Sequence, residues 1–271
     1  MTIYYNTFFV TFPHCITIFK IRTDSEYIRL IFPRLYRVDV FWPGELIESV
    51  QLEIVFSTAQ MTIEYNDKCQ YVKSEYEAVV EIMKIIREKM IFEDPWCPFH
   101  GAALMLGERC ILFLGESQSG KTTLAAFFSQ KRDVRIISED IVIVNCHTKE
   151  VAVVVLPLRL RESSYNLLTN EYYCDFNNLQ TIWNGKKLVD VCFADKEVYI
   201  LTDVFQLHRG GDAIRTEPSD EGGYITNGYC YTDIKRNIRC AITLNNILPA
   251  QKLYYSDLNS LYDYLCRTHP Y

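Results

Sequence analysis

Cys110-Ile111-Leu112-Phe113-Leu114-Gly115-Glu116-Ser117-Gln118-Ser119-Gly120-Lys121-Thr122-Thr123 joins an unbroken apolar run to a polar turn bounded by glycines, followed by an Ala- and Phe-rich segment reaching Gln130. Five apolar residues in a row fit a strand covered on both faces, not one with a wet side. The spacing after the turn predicts a short helix over Thr122 to Gln130. Between strand and helix, Gly115 to Thr122 matches G-x-x-x-x-G-K-[ST] at every fixed position. Each part has a physical role. Glycines let the backbone curl so that successive N–H groups face inward at oxygens, the helix adds the positive end of its dipole, and Lys121 supplies a mobile cation. The Thr122 hydroxyl suits Mg²⁺. Such a pattern arises by chance in about one chain of this size in a hundred, and here it also sits between a buried strand and a helix. Gly115, Glu116, Ser117, Gln118, Ser119, Gly120, Lys121, Thr122 and Thr123 are the candidate contacts for a nucleoside triphosphate.

Working outward, Val134 to Asn145 reads as one long strand, with Ser138-Glu139-Asp140 placing two adjacent carboxylates inside it. Neighbouring strand residues point to opposite faces, so only one carboxylate faces the loop unless a bulge intervenes. A buried pair needs metal or basic partners. Asp140 is the candidate general base, and Glu139 stands on the metal side; Thr122, Glu139 and Asp140 form the candidate metal set. Upstream, Pro98 to Leu104 precedes the loop strand. If that segment pairs beside it, His100 reaches the phosphates and Gly101 permits close backbone approach; otherwise His100 is a satisfied core or edge residue. Downstream, Leu156 to Arg161 carries Arg159 and Arg161 on one side, guanidinium groups for an anionic peptide or phosphate, or plain surface ion-pair partners.

The whole chain has 271 residues, 49% of them apolar, enough for one large domain or two small ones. Lys plus Arg number 28 against 34 Asp plus Glu, a net charge of -6, so no global basic field exists to hold a nucleic acid or an anionic membrane. Met1 to Phe19 lacks charge but reads as paired strands, not as an export signal or a membrane span. The ten cysteines include no Cys-x-x-Cys pair and read as small buried hydrophobes in a reducing cytoplasm. From residue 1 to about 70 the pattern predicts an antiparallel sheet, with Val50, Leu52, Ile54 and Phe56 on one face and turns at Phe12-Pro13, Phe32-Pro33, Trp42-Pro43-Gly44 and Asn66-Asp67. A capping box at Ser74 and Glu77 opens a helix over Glu75 to Lys89. Asp94 to Pro98 breaks that helix, dividing a β-rich region, 1–95, from a loop-bearing domain, 96–271. Further on, Glu197 to Asp203 reads as a strand, His208-Arg209-Gly210-Gly211 as a turn and Ser256 to Cys266 as a helix.

His100-Gly101-Ala102-Ala103-Leu104, then Ile111 to Thr122, then Ile136-Ile137-Ser138-Glu139-Asp140 resemble, in order and spacing, the catalytic domain of HPr kinase/phosphorylase over about residues 96 to 165. The segment is similar in particular to short kinase-like members found with modified-peptide biosynthesis, whose Pro-Leu-Arg segment Leu156 to Arg161 resembles. The resemblance implies an α/β fold with a P-loop-containing mixed β-sheet core of the HPr kinase/phosphoenolpyruvate carboxykinase type, preceded here by the N-terminal β-rich region. It implies ATP and Mg²⁺ as ligands and a serine of a small protein or peptide as acceptor, and it leaves room for a homo-oligomer. By the same resemblance Asp140 is the base, Glu139 and Thr122 lie near Mg²⁺, and His100 sits beside the phosphates. Two features depart from it. Glu139 stands where bacterial HPr kinases have Asp, and their later Gly-rich signature is missing from residues 180 to 215, so HPr itself, the phosphorylase reaction and the hexamer are not implied. The expected activity is that of a serine kinase. From the loop alone, a nucleotide-binding regulatory or switch protein without phosphotransfer activity is the alternative.

Overall fold

The computed structural model describes residues 6–36, 50–176, 178–183, 185–189, 191–210, 213–219 and 234–268. The chain divides into two units, Met1–Asp94 and Pro95–Tyr271, and both are mixed α/β. The turn expected at Trp42-Pro43-Gly44 lies outside the described residues.

In the first unit, strands β1 (Asn6–Val10), β2 (Thr17–Thr23), β3 (Val50–Ser57), β4 (Thr62–Tyr65) and β5 (Lys68–Tyr71) form one sheet in that order. Leu52, Ile54 and Phe56 are buried and Glu53 is exposed, as period-2 alternation requires. The sheet is not wholly antiparallel, however: β2 and β3 run parallel. Helix α1 (Glu26–Leu35) lies between them in the chain, since parallel neighbours need a crossover. The sequence pattern misread α1 because Pro33 looks like a turn. Pro33 instead falls in the last helical turn, where its missing N–H costs one bond, while Ser25 caps the start by accepting from Ile28 N at 3.0 Å. Helix α2 (Glu75–Lys89) begins as predicted, with the Ser74 hydroxyl accepting from Glu77 N at 3.1 Å and the Glu77 carboxylate from Lys73 N at 2.6 Å.

The second unit is built on a six-stranded sheet with β8 (Arg109–Leu114) near its middle. Its neighbours are β7 (Gly101–Leu106), antiparallel, and β16 (Asp203–Arg209), parallel. Beyond β7 lies β9 (Val134–Glu139), and beyond β16 lie β18 (Gln251–Tyr255) and β17 (Arg215–Pro218). The apolar run of β8 is covered on both faces. Ile111 and Phe113 join a cluster with Leu124, Phe127 and Phe128 of α3 (Lys121–Phe128) and with Leu258, Leu261 and Leu265 of α6 (Leu258–Arg267). Cys110, Leu112 and Leu114 face a second cluster, made with β6 (Trp96–Phe99), β10 (Val142–Asn145) and Ala241 and Leu244 of α5 (Ile234–Ile247).

A four-stranded sheet runs β15 (Val198–Ile200), β11 (Glu150–Ala152), β10, β6. A three-stranded one runs β12 (Leu158–Arg161), β14 (Lys186–Val189), β13 (Asn178–Trp183), with α4 (Glu162–Asn170) following β12. Three sequence expectations are corrected. Val134 to Asn145 is two strands in two sheets, Asp203 starts β16 instead of ending a strand from Glu197, and His208 and Arg209 belong to β16, with Gly210 taking the left-handed turn at φ 122°. Among the described residues no helix is long and apolar enough to cross a membrane.

Candidate functional site

Strand direction alone gathers three distant segments at one end of the six-stranded sheet. β8 ends there and releases the 115–120 turn. β7, running the other way, begins there, with His100 just before it, and β9 ends there at Glu139. The register fixes this: Gly101 lies opposite Leu114, and Ala102 opposite Glu139. Such an edge, at the carboxyl ends of parallel strands, is where open α/β sheets leave a crevice. Gly101 is pressed against its neighbour, for a Cβ there would stand 2.8 Å from the Phe113 carbonyl oxygen.

The turn closes on Gly120, which takes φ 97° and provides no side-chain cap to α3. A side chain at Gly120 would also strike the Tyr255 hydroxyl, 2.7 Å from the Cβ position. That hydroxyl donates to the Ser119 carbonyl at 3.1 Å and props the turn from β18. Lys121 folds back, its ammonium donating to Gly115 O at 2.7 Å and Glu116 O at 2.9 Å. Burial lowers the Lys121 pKa, and the carboxylates of Glu139 and Asp140 oppose that shift. The Ser119 hydroxyl is buried with no hydrogen-bond partner among the described residues. Glu116, Ser117 and Gln118 are exposed. Thr123 points elsewhere, donating to the Ser164 hydroxyl at 3.0 Å.

The two carboxylates are brought together by a kink. The β7–β9 register slips between Ala103 and Leu104, and Asp140 adopts φ 70°, a left-handed conformation that Asp tolerates better than most residues. Its N–H donates to Gly101 O at 2.9 Å, pinning the bend. The opposite-face rule therefore stops applying at Glu139. The Thr122 hydroxyl donates to a Glu139 carboxylate oxygen, and Arg159 donates to Asp140. His100 Nδ1 lies 3.2 Å from Asp140 Oδ1 and 3.1 Å from the Asp140 carbonyl oxygen. Arg161, two residues along β12, is exposed.

Two further residues join this site without having been singled out in the sequence. Tyr255 carried no local signal. Lys186 faces Arg161 across β12–β14; burial, then the Arg159 charge, lowers its pKa while Asp140 and Glu139 raise it. Asn184-Gly185, a hairpin dipeptide, signals the turn into the strand that Lys186 opens, but not that strand's pairing with β12.

Glu139 is 6% exposed. Its pKa is raised first by burial and then by the Asp140 charge, which Arg159, Thr122 and His100 offset only in part. A carboxyl with a raised folded-state pKa contributes stability below its unfolded pKa, and that contribution is lost as pH rises through the folded value. Ionising Glu139 thus costs more in the folded chain than in the unfolded one. Glu139→Gln, which keeps an acceptor for Thr122, is expected to stabilise the ligand-free protein at pH 7 and raise its thermal midpoint. Calorimetry at pH 7 checks this; a lower midpoint would mean that the neighbours more than compensate the charge.

The chain matches no protein-family model, and no curated protein matches it.

Proposed function

We propose that this chain is an ATP-dependent, Mg²⁺-requiring kinase of the HPr-kinase-like type, moving a γ-phosphoryl group to the serine hydroxyl of a small protein or peptide. The observation that carries the reading is the meeting of Lys121, Thr122, Glu139, Asp140, His100 and Arg159 at one sheet end, drawn from four separate segments. The mixed order around β8, with an antiparallel neighbour on one side and a parallel one on the other, supports the P-loop core that the resemblance implies.

The donor set fits the ligands. The orphaned Ser119 hydroxyl is a buried donor that a phosphate oxygen would satisfy. Hard oxygen donors on Thr122, Glu139 and Asp140 are those that would hold Mg²⁺, which when bound neutralises phosphate charge. Lys121 leaves the carbonyls of Gly115 and Glu116 for the outer phosphates. Arg159 and His100 orient the Asp140 carboxylate, and Asp140 takes the acceptor proton as the serine oxygen bonds to phosphorus and the bridging P–O bond breaks, releasing ADP.

The test is incubation with γ-labelled ATP, Mg²⁺ and serine-containing peptides, including those encoded by neighbouring genes, followed by mass spectrometry. The expected product is a peptide carrying one phosphate on serine, with equimolar ADP. Tight nucleotide binding without transfer to any hydroxyl would replace this reading with that of a nucleotide-responsive switch; no nucleotide binding at all would end both.

A further inference from the structure

Cys97, Cys146 and Cys240 come from three different elements: β6, the residue after β10, and α5. All three are buried, and their sulfurs lie within 4.8 Å of one another. The expectation of small buried hydrophobes holds for burial at these three and fails at Cys69 and Cys192, which are exposed; what the sequence did not show is that the three lie together. We propose that Cys97, Cys146 and Cys240 form a binding site for one thiophilic divalent cation, with zinc as the fitting ion, distinct from the nucleotide chemistry proposed above and independent of it.

The geometry is close to what such an ion needs. Three sulfurs each about 2.3 Å from a tetrahedral zinc stand about 3.8 Å apart, so a triangle whose sides are within 4.8 Å requires at most about 1 Å of adjustment. Thiolates select soft or borderline cations over Mg²⁺ or Ca²⁺.

A second feature points the same way. Asn237, one helical turn before Cys240, is 3% exposed, and its Nδ2 has no hydrogen-bond partner among the described residues. Its Oδ1 accepts from the Cys97 thiol at 3.0 Å. With Cys97 as a metal-bound thiolate there is no S–H to accept, and a half-turn of the amide presents Nδ2 to the sulfur. The buried donor then gains an acceptor, as an outer hydrogen bond to a metal ligand does. The Arg236 guanidinium, donating to Trp96 O at 3.1 Å, places positive charge on the same helix and offsets the net negative charge of three thiolates around a divalent ion.

Position gives the site a structural consequence. Cys97 lies on β6, three residues before His100, and β10 starts two residues after Asp140. A cation would tie α5 to the two strands that carry His100 and Asp140 into place, about 10 Å along the strand from the imidazole.

The experiment uses the full chain, reduced, stripped of metal and held without oxygen, and titrates it with Cd²⁺ while recording the thiolate-to-metal charge-transfer absorption. The expected result is a band that saturates at one equivalent and is displaced by Zn²⁺, together with a higher thermal midpoint when Zn²⁺ is present. Cys240→Ser should weaken binding at least about 100-fold, and Asn237→Leu about 10-fold. Cys69→Ser and Cys192→Ser, at exposed thiols, should change nothing. Absence of the band in the wild-type chain overturns the proposal, even should Cys240→Ser fail to fold. So does a band retained in Cys240→Ser and Cys146→Ser alike. No nucleotide enters the assay, so neither result bears on the kinase reading.

Discussion

Asp140→Asn is expected to lower phosphoryl transfer about 1,000-fold while leaving nucleotide affinity within a few-fold. The kinase reading gives Asp140 one indispensable property, a carboxylate able to take the acceptor proton, and loss of a positioned base costs about 10²–10⁴ in rate. Asn is nearly isosteric and tolerates the left-handed φ of 70° found at this position. The bond from Asp140 N to Gly101 O, 2.9 Å, is a backbone bond and survives. The side-chain oxygen can still accept from Arg159. The kink therefore stays, an amide oxygen remains as a donor for Mg²⁺, and the proton acceptor goes. Single-turnover transfer of labelled phosphate, measured beside nucleotide titration of the same protein, separates the two effects. Transfer within about tenfold of the wild type would remove Asp140 from the role of base.

Lys121→Ala should act at an earlier stage, with productive nucleotide binding falling and transfer at fixed ATP dropping about 100- to 1,000-fold. Lys121 is 6% exposed, and its ammonium spans the turn between the Gly115 and Glu116 carbonyls. Its removal takes away the cation for the outer phosphates and also the internal tie that holds the turn closed. The helix itself is unharmed, because Ala has the highest helix propensity, so circular dichroism should match the wild type. The substitution also removes the ammonium's attraction to the Glu139 and Asp140 carboxylates, which leaves those two like charges with less opposing charge beside them. Binding of a fluorescent ATP analogue is the direct readout. Affinity equal to that of the wild type would mean that the 115–123 segment does not hold the phosphates.

The parts of this fold legible in the sequence are those whose signals are local. Helix α2 shows itself by an apolar stripe and by the cap at Ser74, and its bounds, Glu75–Lys89, match the prediction. The strand–turn–helix around Gly115 is legible because each piece has its own pattern. Helix α1 was hidden by Pro33, whose turn preference is a local signal that burial of Ile28, Ile31, Phe32 and Leu35 overrides. At the candidate site, residues within the motif could be named in advance. Whether Glu139 and Asp140 share a face could not, because the answer depends on one backbone angle at Asp140. Tyr255, Lys186 and the Cys97–Cys146–Cys240 triangle arrive through long-range strand pairing and helix packing, and a window of neighbouring residues does not contain that information.

The prop supplied by Tyr255 sets an order of events during translation. The ribosome emits the 115–123 turn more than a hundred residues before Tyr255, and the hydroxyl that holds the Ser119 carbonyl is then still unmade. The neighbouring strands on that side of β8, β16 and β18, are also late arrivals. A nascent chain halted before residue 250 thus carries every letter of the phosphate-loop pattern without the support that shapes it, and long-range pairing of this kind is slow. Under the kinase reading, competence to grip a nucleotide therefore waits until Tyr255 has been made and paired, long after the loop itself has left the ribosome.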